Sequence, residues 1–167
     1  MTTQTMTEKD MFLNAFDREH EVTTRVLREY PANKEDWKPA EKSRTGRELA
    51  WIFICEDKVG LAAAKGKLDF TAPPPPPPVS VAELIKMYEQ SHRETAAAIR
   101  ALSPADLDRT IPFPVGPKQM GDVRVGQVMW MMLSDAVHHR GQLSVYLRLL
   151  DVPVPSIYGP SGDDPGA

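Results

Sequence analysis

A chain of 167 residues with 41% hydrophobic residues has material for one domain with a sizeable core. Its net charge of −3 is spread without a basic run, which argues against nucleic acid as a partner. A lone cysteine excludes an internal disulfide framework, and no apolar stretch reaches the roughly 20 residues of a membrane span.

The start, MTTQTMTEKD, is polar and carries no signal core. Together with the lone Cys55 it points to a soluble protein of the cytoplasm. The first helix is expected from about Glu8 to Glu29, with Thr7 as its N-cap and Met11, Phe12, Ala15, Phe16, Val22, Val26 and Leu27 on its apolar side. Pro31 ends it, and Trp37 in the following loop is placed to plug the end of the core.

The second helix opens on the capping box Thr45-x-x-Glu48. Leu49, Ile52, Phe53, Gly60 and Ala63 form its inner stripe, with Glu56 in the middle. A carboxylate there is costly unless a cation or a hydrogen-bond donor meets it. Six prolines, Pro73 to Pro78, follow this helix. A polyproline II run of about 14 linker residues spans about 40 Å, and a 22-residue helix is about 33 Å long. The linker over 71–79 is therefore read as a crossover that leaves helices two and three parallel.

The third helix starts at a second capping box, Ser80-x-x-Glu83, and runs to about Leu102. The stretch from Asp108 to Gly126 holds Pro112, Pro114 and Pro117, so TIPFPV and QMGDVRV are expected to form at most a loose hairpin with short strands. The fourth helix, Val125 to Leu150, is the longest uninterrupted helical pattern. Val125, Val128, Met129, Met132, Ala136, Leu143, Tyr146, Leu147 and Leu150 share one face at about 100° per residue.

His139 falls inside that stripe with Asp135 one turn earlier, whereas His138 and Ser134 point away. The methionines, Met120 included, are read as core filler. Met131 and Trp130 lean outward and suggest a dimer interface. Gly141 is read as permitting close helix contact, and His20 and His92 as isolated structural histidines. The tail is expected to pack Ile157 and Tyr158 on the helices and then fray. These elements describe an all-α four-helix bundle with long crossover connections, a single domain over 1–167 with 1–6 and 160–167 poorly ordered.

The string His138-His139-Arg140-Gly141-Gln142-Leu143, continued by Ser144-Val145-Tyr146-Leu147-Arg148, resembles the DinB superfamily. DWKPAEKS and GRELAW around the start of helix two, and PSIYGPS after helix four, extend the resemblance over nearly the whole chain. The resemblance implies an up-down-down-up bundle, often dimeric. It also implies a divalent metal, most commonly nickel or zinc, held by one histidine of helix two and two histidines one turn apart on helix four. Relatives with known reactions include S-transferases that use bacillithiol or mycothiol, and a maleylpyruvate isomerase.

This chain departs from that ligand pattern. The place of the helix-two histidine is Ile52. On helix four the pair is either Asp135 and His139 or, in the other register, Ser134 and His138, and only the first lies on the inner face. Glu56, one turn after Ile52, completes an altered ligand set of Glu56, Asp135 and His139. Such a set suits zinc, nickel, iron or manganese, with Gln142 or Arg140 orienting a substrate. The alternative is that the three residues satisfy one another and that Arg140 forms a salt bridge. Two functions follow: a metal-dependent enzyme that transfers a low-molecular-weight thiol, or a metal-free bundle that binds a small molecule or protein partner without catalysis.

Overall fold

Three of the four long helices begin at a reciprocal cap, and those caps set where the chain turns into the core. Thr7 and Asp10, Thr45 and Glu48, and Ser80 and Glu83 each exchange side-chain and backbone hydrogen bonds. They satisfy amide donors that a helix start otherwise leaves unpaired. The computed structural model describes residues 5–69, 77 and 80–166. The helices are α1 (Glu8–Arg28), α2 (Gly46–Ala64), α3 (Val81–Arg100) and α4 (Val125–Leu149). The expected proline crossover over 71–79 falls, apart from Pro77, outside the described residues.

The chain is mostly helical rather than all-α. Thr110–Gly116 (β1) and Gln119–Arg124 (β2) pair as an antiparallel hairpin ahead of α4. The prolines do not shorten it. Pro112 and Pro114 are exposed and two residues apart, opposite Asp122 and Met120. They share the parity at which a backbone N–H points away from the partner strand, so no ladder bond is lost. Ile111, Phe113 and Val123 on the other face are buried.

The helices pack in four neighbouring pairs: α1 with α3 and α4, and α2 with α3 and α4. Lys9 at the start of α1 donates to the carbonyls of Arg100 and Leu102 at the end of α3. Arg124, the N-cap of α4, pairs with Glu8. The Tyr146 hydroxyl near the end of α4 donates to the Arg44 carbonyl ahead of α2. Glu35 in the first loop accepts from the amide of Val81 and pairs with Arg47, tying the starts of α2 and α3 to one carboxylate. Trp37 packs edge-on against Tyr146, 5.5 Å between centroids, at the end of the core as expected.

Apolar packing is divided in two. One cluster joins Phe12, Phe16, Ala96, Ile99, Val128, Met129 and the hairpin's inner face. The other joins Val26, Leu27, Leu49, Phe53, Leu84, Tyr88, Leu143 and Leu147 at the opposite end. Between them in chain order, every helix contributes buried polar residues: Glu19 and Thr23, Asp57, Ser91, His92 and Thr95, and His139 and Arg140. This polar waist is what positions the site.

Several expectations are corrected. Met120 is 58% exposed on the hairpin and fills no core. Trp130 does not lean out freely, because its ring meets Phe12 edge-on at 5.1 Å. Gly141 is exposed and a side chain there would meet nothing within 4 Å, so it permits no close contact. Beyond Tyr158 the described tail carries hydrogen bonds. Asp163 accepts from Arg148 and the Val154 amide, and Asp164 from the amides of Ser156 and Gly166. No helix among the described residues is long and apolar enough to cross a membrane.

Candidate metal centre

Glu56 from α2 and Asp135 and His139 from α4 meet on the α2–α4 side of the waist. One ligand atom from each lies within 4.8 Å of the other two. The spacing of four residues puts Asp135 and His139 one above the other on α4. His139 is buried, while the Asp135 side chain is 46% exposed, so the cluster has an inner and an outer side.

His139 Nδ1 donates to the Asp135 backbone carbonyl at 2.9 Å and lies 3.4 Å from its carboxylate. That contact fixes the tautomer and leaves Nε2 as a lone-pair donor. Burial holds the imidazole below its ordinary value, against the opposing pull of Asp135. Such a group is a neutral ligand at physiological pH.

Glu56 is the residue under most tension. Its carboxyl is pushed up to about 9, first by burial and then by the Asp135 carboxylate alongside, toward which a protonated Glu56 donates. Its Oε2 is buried without a hydrogen-bond partner. A buried oxygen of this kind calls for a proton or a cation. A divalent cation among two carboxylates and an imidazole meets all three donors, and the oxygen and nitrogen set suits zinc, nickel, iron or manganese.

Behind the cluster is an internal cavity of about 20 Å³, lined by Glu19, Thr23, Glu56, Asp57, Tyr88 and Thr95 among others. It has room for about one water. Asp57 is 4% exposed, and burial drives its carboxyl well above the usual carboxylate range despite a hydrogen bond with Ser91. In front of the cluster a surface groove of about 520 Å³ runs past Trp130, Met131, Met132, Ser134, Asp135 and His138. Asp135 therefore belongs to both the cluster and an open, largely apolar groove.

The other sequence candidates lie elsewhere. Ser134 and His138 are exposed: the Ser134 hydroxyl donates to the Trp130 carbonyl, and His138 accepts from Gln142. Gln142 thus sits with His138 on the outer side of α4. Arg140 is turned inward at 1% exposure. Its Nη1 donates to Glu19 at 2.6 Å and its Nη2 to the Tyr158 hydroxyl at 2.6 Å, a buried salt bridge away from the cluster. Ile52 packs against the apolar cluster of Leu49 and Phe53.

Sequence reasoning missed Glu19, Thr23 and Asp57. Asp57 follows Glu56 directly and is the more buried of the two. A repeat of the α1 apolar pattern across Glu19, between Phe16 and Val22, was the available signal for an inward carboxylate.

Comparison with known proteins agrees with this architecture. The family model of the DinB superfamily matches residues 15–143. The uncharacterized protein YrdA of Bacillus subtilis is 25% identical over 157 residues, covering 93% of this chain and 90% of its own. A DinB-like protein from Bacillus cereus superposes with a TM-score of 0.74 at 22% identity, over 88% of this chain and 95% of that one. A second, YjoA of Bacillus subtilis, gives 0.67 at 20% identity over 86% and 95%. With the family model matching well over half of the chain, the chain belongs to the DinB superfamily.

Proposed function

We propose that this protein is a metal-dependent enzyme of the DinB type, in which Glu56, Asp135 and His139 hold a divalent cation and a low-molecular-weight thiol is transferred to an electrophile. The observation that carries the reading is the convergence of three ligand atoms within 4.8 Å around a buried, unpartnered Glu56 oxygen. A divalent metal on such ligands lowers the pKa of a coordinated thiol or water and so supplies a nucleophile near neutral pH. The chain's own part is to keep His139 oriented through the Asp135 carbonyl and to hold Glu56 at the waist. The groove along Trp130, Met131 and Met132 receives the apolar part of a substrate beside Asp135.

The reading includes a cytoplasmic setting, where the lone thiol of Cys55 stays reduced. It also includes a homodimer. Met131, Val145 and Leu149 are all more than 40% exposed and lie along one outer stripe of α4 at helical spacing.

The second reading, a metal-free binding bundle, draws on Ile52, an apolar residue where the family resemblance expects a histidine. A protonated Glu56 beside Asp135 also satisfies part of the cluster without metal. Metal content by elemental mass spectrometry, on untagged protein, separates the two. Stoichiometric metal lost in Asp135→Ala and His139→Ala but kept in His138→Ala supports the enzyme. Protein that takes up no metal on reconstitution overturns it.

A further inference from the structure

The segment after α4 folds back along the bundle and reaches α1. Its own bonds close it into a loop: Asp163 accepts from the Val154 amide, and Asp164 from the amides of Ser156 and Gly166. One end of the loop is tied to α4 through Arg148 and Asp163. Among the described residues, its hydrogen bonds to α1 and to the middle of α4 all run through Tyr158.

Tyr158 combines exposure with a buried attachment. It is 66% exposed, yet its hydroxyl donates to Glu19 at 2.7 Å and accepts from Arg140 at 2.6 Å. Both partners are buried, and the Arg140 guanidinium lies 5.0 Å from the centre of the tyrosine ring. A side chain so exposed buries little apolar surface. What holds it is the pair of hydrogen bonds to charged groups rather than packing.

What lies beneath gives this attachment a role. Arg140 donates to Glu19 and to Thr23, and both of these line the internal cavity that has Glu56 of α2 in another wall. From solvent inward the order is Tyr158, then Glu19 and Arg140, then the cavity, then a residue of the metal centre.

Glu19 also has partners on two sides. Its Oε2 is held inward by Arg140 and Tyr158, while its Oε1 accepts from Arg18, an exposed side chain, at 2.8 Å. When the phenol leaves, the carboxylate loses one inward bond and keeps the outward one. A group with two such arrangements is suited to shift between them.

We propose that Tyr158 is the latch of a back entrance to the cavity: its release lets Glu19 turn toward Arg18 and opens a passage between α1 and α4. Through it, water or a small solute reaches Glu56 from behind the metal centre. The passage operates with or without a bound metal.

The test is the rate at which methyl methanethiosulfonate labels Thr23→Cys in the full chain carrying Cys55→Ser. Thr23 is 1% exposed in the cavity wall, and Thr95→Cys, also 1% exposed there, is a second reporter on α3. Val128→Cys, at 0% exposure and outside that wall, reports global unfolding. Local opening exposes little surface, so labelling of Thr23→Cys should be faster than that of Val128→Cys and nearly flat in urea below the unfolding transition. Tyr158→Phe should speed it by about tenfold, because a hydroxyl bonded to charged groups is lost while the ring stays. Entry by the front groove keeps the latch bonds intact and would gain nothing from that variant. Equal labelling of Thr23→Cys and Val128→Cys with the same steep urea dependence overturns the proposal, as does an unchanged rate in Tyr158→Phe. Thr95→Cys should follow the same pattern, and its failure to accelerate would count equally against the latch.

Discussion

Arg140→Met is the sharpest test of the polar waist. The substitution keeps a long, flexible side chain but removes a guanidinium that is 1% exposed and bonded to Glu19 and the Tyr158 hydroxyl. Tyr158 also donates to the same Glu19 oxygen at 2.7 Å, so the tail and α4 converge on one α1 carboxylate. Breaking a buried ion pair by deleting one partner costs about 3–5 kcal/mol, because the other charge is left in a poor solvent. Here the lower end is expected, since Arg18 still donates to Glu19 at 2.8 Å from the surface. For a chain of this size about 3 kcal/mol lowers Tm by roughly 10 °C. Urea unfolding followed by far-UV circular dichroism measures the change, with Glu19→Leu and the double variant completing a cycle. The double variant should recover most of the loss, as an apolar pair replaces two charges. A loss below about 1 kcal/mol in Arg140→Met, or full additivity in the double variant, would refute the claim that the pair is coupled and buried.

Glu56→Gln should make the metal-free protein less sensitive to pH. The folded value of Glu56 is raised from 4.5 to about 9, so its contribution to stability is present below about pH 4.5 and is lost as pH rises toward 9. Thermal melts in chelator should show the wild type weakening across that interval and the variant not following it. Parallel curves would remove the case for a tensioned Glu56. Glu19 behaves with the opposite sign. Burial alone would raise it, but hydrogen bonds from Tyr158, Arg140 and Arg18 bring it below 4.5, so its stabilisation is lost as acid drives the pH down through that lowered value. Acid unfolding of Glu19→Gln should accordingly begin from a lower plateau and be less steep than that of the wild type. Gly46→Ala should destabilise by about 1–3 kcal/mol, because the added Cβ would lie 2.2 Å from the buried Tyr30 ring. A neutral result in urea unfolding would mean that Tyr30 moves aside freely.

The sequence by itself determined the four helices and their starts. Threonine or serine followed three residues later by an acid is a local signal, and at Thr7, Thr45 and Ser80 the caps form from residues within one turn. It also singled out Glu56, Asp135 and His139, because a polar residue on an apolar helical stripe is visible from periodicity alone. The hairpin was less legible. Proline content depends for its effect on strand parity, which only the pairing of Pro112 and Pro114 with β2 settles.

Tertiary structure alone decided the rest. Arg140 sits beside His139 in the sequence, yet it faces α1 and the tail, while His139 faces α2. Its partner Glu19 is 121 residues away, and no local pattern encodes that distance. The same holds for His20 and His92, each unremarkable on its own helix and stacked once α1 and α3 pack. A helix's period tells which side of it is buried. Which polar groups then meet at mid-height depends on how four helices are set against one another, and that is a property of the assembled core.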